Sequence, residues 1–554
     1  MIKILIFLII ILIQILITQS FKCGLSKKKK VKIQQIPSSL FSENKTRNLD
    51  SSPIKIYVDY EIIEDQLPKE ILTNIQEAFN LTIKIFQNYL SVKSKGKYKL
   101  NKKLINDVKG DFTGEEIPYL LENSDKIDAD LFLVPYMDET LDEQTQAAAY
   151  PMLSDKKTKR PILGCVDLNP ELDFKLKNSI KFLSMLLLHE ISHILAFNDQ
   201  LFPLFMNIKN PIKTLLINGI NRTLLQTPKV LEYARGHFGC PSLTGVELEN
   251  QGGSGSSGSH WEARIMLGDY MISTDYPEIV ISEISLALLE DTGWYYVNYY
   301  TGGLFRHGKG LGCDFLNNKC IHKGKTSFGR EFCVNKNEDR CSSGNIDRGI
   351  CYIIPSYYFL YSYFNNPNKI GFSFADYCPV MFTPYSKDKY YFYSRCDSNG
   401  KNMYNFSPEY GEIYGPNSIC VLSSLKPQSS LSDSYKTARC HEVISCNSTT
   451  KSFILNIGEV NLNCSGNYEE IEIEGYSGSI ICPDYNRVCT GITKTKIIDF
   501  CNDPLDCINK YILYDEADIT AVNPIEGKKN YKDKGRFIYL SYSFLFFMVG
   551  FVLF

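Results

Sequence analysis

The sequence has no broad field of one charge. Lysine and arginine number 60 and aspartate and glutamate 62, which gives a formal net charge of −2 over 554 residues. A protein that binds nucleic acid along its surface needs clustered basic charge, so this balance argues against a nucleic-acid partner. Hydrophobic residues make up 44% of the chain. That share is typical of folded proteins, and the length suggests two or three domains.

Histidine and the motifs of nucleophilic hydrolases are also scarce. The chain has seven histidines and no GxSxG stretch, so the signature of an α/β-hydrolase serine nucleophile is missing. Eighteen cysteines are present but unevenly placed, since Cys23, Cys165 and Cys240 are isolated and fifteen lie between Cys313 and Cys507. This density is typical of a disulfide-stapled domain in an oxidising compartment. The pairing cannot be read from the sequence.

The N-terminus predicts entry into the secretory pathway. Lys3 is followed by a nearly unbroken apolar run over residues 4–17 and then by small and polar residues. This order is typical of a secretory signal peptide, predicted over residues 1–20. The alternative is an uncleaved signal anchor, although the apolar core is shorter than the roughly 20 residues that a spanning helix needs. Residues 21–52 are expected to form a propeptide or flexible lead-in.

The C-terminus predicts attachment to a membrane. Residues 537–554 are apolar apart from Ser541 and Ser543 and follow an expected polar spacer over residues 516–536. The segment resembles a signal for exchange to a glycosylphosphatidylinositol anchor, and a transmembrane tail is the alternative. The predicted location is the cell surface or the extracellular space. Sequons that this route would expose to glycosylation are Asn44, Asn80, Asn221, Asn447 and Asn463.

Residue periodicity predicts interleaved strands and helices before residue 200. Strands are predicted at Ile54 to Tyr60, Leu131 to Tyr136 and Pro161 to Leu168, and helices at Glu70 to Leu90, Asn178 to Phe197 and Ser282 to Asp291. Gly293 is expected to end the last of these helices. Cysteines, tyrosines and turn residues then predict a separate cysteine-rich domain of short strands and loops over residues 301–515.

The stretch LLLHEISHILAF, residues 186–197, places two histidines four positions apart in an apolar helix. His189 and His193 would lie on one face, a turn apart, and can present ring nitrogens to a single ion. Glu190 follows about 100° around the helix and can reach a water on that ion without being a ligand. The alternative is a buried hydrophobic helix whose histidines are simply hydrogen-bonded.

A catalytic zinc site needs three protein ligands and one open position, so a third ligand must come from elsewhere. The candidates are His237, His260, His307, His322 and His441. His260 stands out because it follows the glycine and serine run of residues 251–259, whose backbone freedom can swing this histidine back over the helix. Considered alone, that run is more often a flexible surface linker.

Three segments follow one another along the chain: HEISHILAF, ELENQGGSGSSGSHWEARIMLGDYM and SEISLALLEDTGWYYVNY. Their order and spacing are as informative as their residues. Together they resemble the leishmanolysin family of surface metallopeptidases, a branch of the metzincins. The resemblance runs over about residues 54–500, with the cysteine-rich half contributing by pattern only. It implies an α+β fold in which a metzincin-like zincin domain, over residues 53–300 and with a mixed sheet and the HExxH helix, precedes the cysteine-rich domain.

The resemblance also implies individual roles. In that family two helix histidines and a distant histidine bind one zinc ion, a glutamate is the general base, and a methionine forms a turn beneath the metal. The corresponding residues here are His189, His193, His260, Glu190 and Met271. The 67 positions from His193 to His260 match the long-insert form of the family. Met271 alone would be an ordinary core residue.

The sequence departs from the family pattern at two places. Where metzincins end the active-site helix with glycine, this chain has Ala196, which would be strained by on the order of 1 kcal/mol if the position required a positive φ. The family also carries a propeptide cysteine that occupies the metal before activation. Cys23, in FKCGLS, is the candidate, but its context does not match. If Cys23 forms that latch, one of the other cysteines is unpaired or intermolecular.

These features predict a secreted or surface zinc metalloendopeptidase that binds one zinc ion and acts on proteins or peptides. The expected chemistry is metal-assisted hydrolysis, in which zinc activates a water and Glu190 takes and returns its proton. A surface adhesion or binding protein on the same scaffold is the alternative. The sequence leaves the natural substrate, the anchor type and the oligomeric state open.

Overall fold

The computed structural model describes residues 33–36 and 52–492, with gaps. The gaps are 94–97, 108–114, 143–144, 173, 175–178, 218, 275, 277–278, 300–304, 354–369, 383–394, 397–409, 416, 430–435, 448 and 467. The predicted signal peptide, spacer and anchor signal lie outside the described residues, as does Cys23. Within them, no helix combines the length and apolar character that crossing a bilayer requires.

The described chain is a mixed α+β protein whose longer helices precede residue 300 and whose later part is mainly strands and loops. The strands are β1 Gln34–Ile36, β2 Ile56–Val58, β3 Leu90–Val92, β4 Leu131–Met137, β5 Ala147–Asp155, β6 Pro161–Leu168, β7 Ile212–Ile217, β8 Ile220–Leu225, β9 Val246–Leu248, β10 Tyr295–Val297, β11 Asp339–Cys341, β12 Arg348–Cys351, β13 Met381–Phe382, β14 Ser418–Ser423, β15 Lys426–Pro427, β16 Thr437–Asn447, β17 Ser452–Ile457, β18 Val460–Cys464, β19 Glu470–Glu472, β20 Tyr476–Ser477 and β21 Ser479–Ile481. The helices are α1 Glu61–Glu64, α2 Lys69–Tyr89, α3 Lys102–Asn106, α4 Pro118–Asn123, α5 Ser179–Leu195, α6 Pro228–Phe238, α7 Ala263–Met266, α8 Glu283–Asp291, α9 Gly312–Asn317 and α10 Tyr485–Ile492.

The first half is built on a five-stranded sheet in the order β1-β5-β6-β4-β2. β2, β4 and β6 run parallel to one another, β5 is antiparallel to β6, and β1 pairs in parallel with β5. β5 and β6 are buried along their whole lengths. Helix α5 packs on β5 and β6 and against α2, so the sheet supports the helix that carries the HExxH motif.

The predicted elements of this half are confirmed, with small shifts at their ends. The prediction omitted β5, because its alanines and Pro151 do not favour a strand. Pro151 is tolerated because the pairing with β6 shifts register between Pro151 and Leu153, at an irregularity in the ladder. The prediction also omitted β1, which lies in the segment expected to be a lead-in. Gly293 follows α8 with a φ of 77°, as its expected role in ending that helix requires.

The cysteine-rich half contains a six-stranded antiparallel sheet in the order β18-β17-β16-β14-β21-β19. Seven disulfides form among the described residues: Cys240–Cys313, Cys320–Cys378, Cys333–Cys351, Cys341–Cys420, Cys396–Cys440, Cys446–Cys489 and Cys464–Cys482. Cys165 keeps its thiol and is buried in the central sheet. The main hydrophobic core continues to Met381, so the predicted boundary near residue 300 does not coincide with a break in the core.

Candidate metal centre

Helix α5 carries two histidines, His189 and His193, whose rings lie together in a buried site. Its leucines and isoleucines bury it between the central sheet and α2, and His193 and Glu190 are fully buried with it. His189 and His193 are one turn apart, and their Nε2 atoms lie 3.1 Å from each other. The shared face that the four-residue spacing predicts is therefore realised.

The third histidine lies at the far end of the insert, the 67-position stretch from His193 to His260. His260 is fully buried, and its Nε2 lies 3.1 Å from Nε2 of His189. The glycine and serine run before it makes a compact turn, with φ of 77° at Gly252 and 81° at Gly258, a conformation that side chains disfavour. The backbone amide of Glu249 donates to the His260 carbonyl at 2.9 Å. The run is thus a structured loop that positions His260 over α5.

Each imidazole is oriented by a main-chain carbonyl. The Nδ1 atoms of His189, His193 and His260 lie 2.6, 2.6 and 2.9 Å from the carbonyl oxygens of Tyr270, Phe197 and Ser256, respectively. A carbonyl oxygen only accepts, so each Nδ1 must carry the proton. Each Nε2 is then left with a lone pair, and the three lone pairs face one another.

This arrangement of lone pairs suits a cation. Burial lowers the pKa of His189 to about 4 and holds the pKa values of His193 and His260 well below the usual range, so the rings are neutral at neutral pH. Neutral imidazoles are metal ligands, and two nitrogens of a tetrahedral zinc site are about 3.3 Å apart. The donor set therefore fits a zinc ion. Among the described residues, this is the one cluster of histidine, cysteine and carboxylate side chains that could hold a metal.

Comparison with known protein families decides the identity. The leishmanolysin family model matches residues 54–495. The chain belongs to the leishmanolysin family. A leishmanolysin-like peptidase from Caenorhabditis briggsae is 30% identical over 431 residues, which cover 62% of this chain and 63% of the relative. Leishmanolysin from Leishmania tropica is 26% identical over 329 residues, covering 55% and 47%. The chain thus spans less than two thirds of the length of these relatives.

Met271 lies in a turn that touches both sides of the centre. It is fully buried, and its amide donates to Oδ1 of Asp269 at 2.8 Å. The carbonyl of Tyr270 holds His189, while the Met271 carbonyl accepts from the amide of Trp261, the residue after His260. Asp269 also accepts from the Ser285 hydroxyl, which in turn accepts from the Trp261 indole. The turn therefore links His189 on α5 to the segment that carries His260.

Ala196 causes no backbone strain. Its φ is not positive, so the condition under which alanine would be costly is not met. The helix ends as the amides of Ala196 and Phe197 both donate to the Ser192 carbonyl at 2.9 Å. This ending turns the Phe197 carbonyl back toward His193, and alanine accommodates it.

The other histidines lie elsewhere. His237 contacts the carbonyl of His307, His307 contacts the carbonyl of Arg264, and His441 contacts the carbonyl of Gly411. His322 is exposed. Of the five candidates for a third ligand, the structure brings only His260 to the pair on α5, within the described residues.

Sequence reasoning missed the groups that orient the rings. Phe197, Ser256 and Tyr270 act through main-chain carbonyls, which every residue possesses. Only the folded path of the chain shows which carbonyl meets which ring. The one sequence signal in their favour is proximity, since Phe197 and Ser256 each lie four residues from the histidine they hold.

Proposed function

We propose that this leishmanolysin-family protein is a zinc metalloendopeptidase with one zinc ion held by His189, His193 and His260. The observation that carries the proposal is the convergence of three neutral Nε2 lone pairs, two of the separations being 3.1 Å. Facing lone pairs are unfavourable without a cation between them. The peptidase names of the relatives support the same activity.

The chain's own residues divide the work. When bound, zinc would make a water acidic near neutral pH and polarise the scissile carbonyl. Glu190, buried beside His189 on α5, is proposed to take the water proton and to deliver it to the leaving amine. The carbonyls of Phe197, Ser256 and Tyr270 keep the three rings in one tautomer, as outer partners of zinc-binding histidines generally do. Met271 is proposed to support the centre from its turn.

We further propose that the protein works in the secretory pathway or at the cell surface on protein or peptide substrates. Seven disulfides among the described residues support an oxidising compartment. A glycosylphosphatidylinositol or transmembrane anchor, and a Cys23 latch on the metal, remain proposals from the sequence. The nearly equal numbers of basic and acidic residues, 60 and 62, give no reason to propose a nucleic-acid partner.

The test is cleavage of a quenched casein substrate by the full-length chain secreted from eukaryotic cells. Activity should disappear with 1,10-phenanthroline and return when zinc is added. Glu190→Gln should lower the rate by about 10²–10⁴-fold, the usual contribution of a general base, and should leave the zinc content unchanged. The matched control is Glu77→Gln, the same amide replacement at an exposed position of α2, which should leave the rate unchanged.

Two results would contradict the proposal. Full activity in Glu190→Gln would remove Glu190 from the role of general base. A folded, zinc-bearing wild type without activity, even after proteolytic removal of the N-terminal lead-in, would favour an adhesion or binding protein on this scaffold.

A further inference from the structure

A buried ion cluster adjoins the segment that carries His260. It consists of Arg222, Glu247, Arg264 and Asp376, whose side chains are at most 4% exposed. Arg222 Nε lies 2.9 Å from Glu247, and Arg264 Nε lies 3.1 Å from Asp376. Arg264 also pairs with Glu247, and Arg222 lies 3.9 Å from Asp376. Each arginine therefore contacts both carboxylates.

The cluster is attached to the segment that carries His260, residues 247–264. The Glu247 carbonyl accepts from the Glu262 amide at 3.0 Å, which joins the two sides of the segment. Asn250 Nδ2 lies 3.2 Å from Glu262 Oε2 and 3.3 Å from Asp376 Oδ1. Asp376 thus contacts the segment both before His260, through Asn250, and after it, through Arg264.

Asp376 comes from the cysteine-rich half, more than a hundred residues after His260. It sits in a loop, residues 370–378, with a φ of 52°, a left-handed conformation that asparagine and aspartate tolerate better than most residues. The disulfide Cys320–Cys378 ties the end of this loop two positions later. Phe374 packs on Gly252, where an added Cβ would lie 2.8 Å from Phe374 Cε1. The loop therefore covers the turn before His260.

The hydrogen bonds of Asp376 explain why the loop matters. Three carboxylates, those of Glu247, Glu262 and Asp376, lie near the two arginines, and Asp376 is the one that comes from the cysteine-rich half. Its carboxylate accepts from Arg264 Nε at 3.1 Å and from Asn250 Nδ2 at 3.3 Å. Hydrogen bonds to an ionised acceptor are about twice as strong as neutral ones, so replacing the carboxylate weakens two bonds to the segment. Arg264, which loses the stronger of these bonds, is four residues from His260.

We propose that Asp376 is a positioning residue for the metal centre: through Arg264 and Asn250 it fixes the segment 247–264, so that the cysteine-rich half determines how firmly His260 is held. The inference rests on the proposed zinc site. It assigns no contact between Asp376 and zinc or substrate. It makes the cysteine-rich half a part of the catalytic unit.

The test compares Asp376→Asn with Glu412→Gln in the full-length chain. Glu412 is a matched control because it is also buried in the cysteine-rich half and also pairs with two arginines, Arg348 at 3.4 Å and Arg439 at 3.9 Å. The first readout is the rate at which zinc passes to a chromogenic chelator. The second is hydrogen exchange of the backbone amides of residues 247–264 in the metal-free protein.

Asp376→Asn should release zinc faster, by no more than the roughly 10–100-fold that follows loss of a direct outer partner of a metal ligand, and should lose exchange protection in residues 247–264. Glu412→Gln should do neither, even if both variants melt at a lower temperature. Equal zinc release by the wild type and Asp376→Asn, or equal effects of the two variants, would overturn the inference. A wild type that binds no zinc would instead refute the proposed function, and the inference with it.

If Asp376→Asn is not secreted, Asn250→Ala provides the second variant. It removes the amide between Asp376 and Glu262 and keeps every ion pair of the cluster. Faster zinc release and lost protection in residues 247–264 would support the inference. Wild-type values of both would overturn it.

Discussion

Gly164, in β6, sets the distance between the central sheet and helix α5. A Cβ at this position would lie 2.6 Å from both Cγ2 and Cδ1 of Ile194 and 2.9 Å from its Cγ1. Ile194 follows His193 directly and is fully buried. The substitution Gly164→Ala therefore tests whether the packing of α5 on the sheet controls the metal centre.

The expected magnitude follows from these distances. Carbon atoms in contact are normally about 3.5–4.0 Å apart, so Ile194 and the added methyl must move apart by roughly 1 Å. Ile194 cannot simply rotate away, since a β-branched side chain in a helix has one strongly preferred rotamer. Overpacking of this kind costs about 1–3 kcal/mol of stability. A displacement of about 1 Å at a catalytic group can lower the rate by 10²-fold, so activity should suffer more than folding.

The assay is a double-mutant cycle read by thermal unfolding, zinc release and casein cleavage. Ile194→Ala removes all three contacting atoms and alone costs about 2–5 kcal/mol. Combined with Gly164→Ala it should cost less than the sum of the single changes, and zinc release should return toward the wild-type rate. Gly329→Ala is the control, because a Cβ there meets no atom within 4 Å. Strict additivity, or a Gly164→Ala variant with normal activity, would refute the reasoning.

Two further predictions concern acid and the Tyr270 hydroxyl. Burial lowers the pKa of His441 to about 4 from 6.5, so the folded chain keeps this ring neutral while the unfolded chain protonates it. Protonation of the unfolded chain therefore lowers the stability of the fold by on the order of 3 kcal/mol as the pH falls from 6.5 toward 4, and the ring has no such effect above pH 6.5. His441→Gln should flatten the fall in melting temperature over that window, and an unchanged fall would count against this account. Tyr270→Phe removes the hydroxyl near Ser192 Oγ, 3.0 Å away, but keeps the carbonyl on His189. We expect a loss of about 1–2 kcal/mol with unchanged zinc release; faster release would show that the side chain, not the carbonyl, orients His189.

The parts of this protein that follow from sequence are those with a strong local period. Helix α2 repeats apolar residues every three to four positions and β2 has them at every second position, and the four-residue spacing of His189 and His193 fixes their shared face on α5. The glycine and serine run makes His260 stand out among five candidates, and the family resemblance selects it. The sequence alone does not decide the choice, because the turn that returns His260 to α5 depends on contacts far along the chain.

The buried ion cluster shows where sequence reasoning fails. Arg222, Glu247, Arg264 and Asp376 are residue types that are normally exposed, and nothing in their neighbours marks them as buried. Their burial depends on the meeting of the insert with the loop of residues 370–378, which is a long-range packing event. Strand β5 was not predicted for a related reason. Its alanines have a weak strand preference, which its burial in the sheet overrides.

The main-chain carbonyls of Phe197, Ser256 and Tyr270 have a consequence for protein engineering. A side-chain substitution cannot delete a carbonyl, so the orientation of the three imidazoles is stored in the path of the backbone and not in the identity of neighbouring residues. Side chains around the centre can therefore be redesigned for new specificities while the metal ligands stay aligned. Conversely, grafting three histidines onto another scaffold would not reproduce this centre unless the helix ending, the loop before His260 and the turn at Tyr270 were transferred with them.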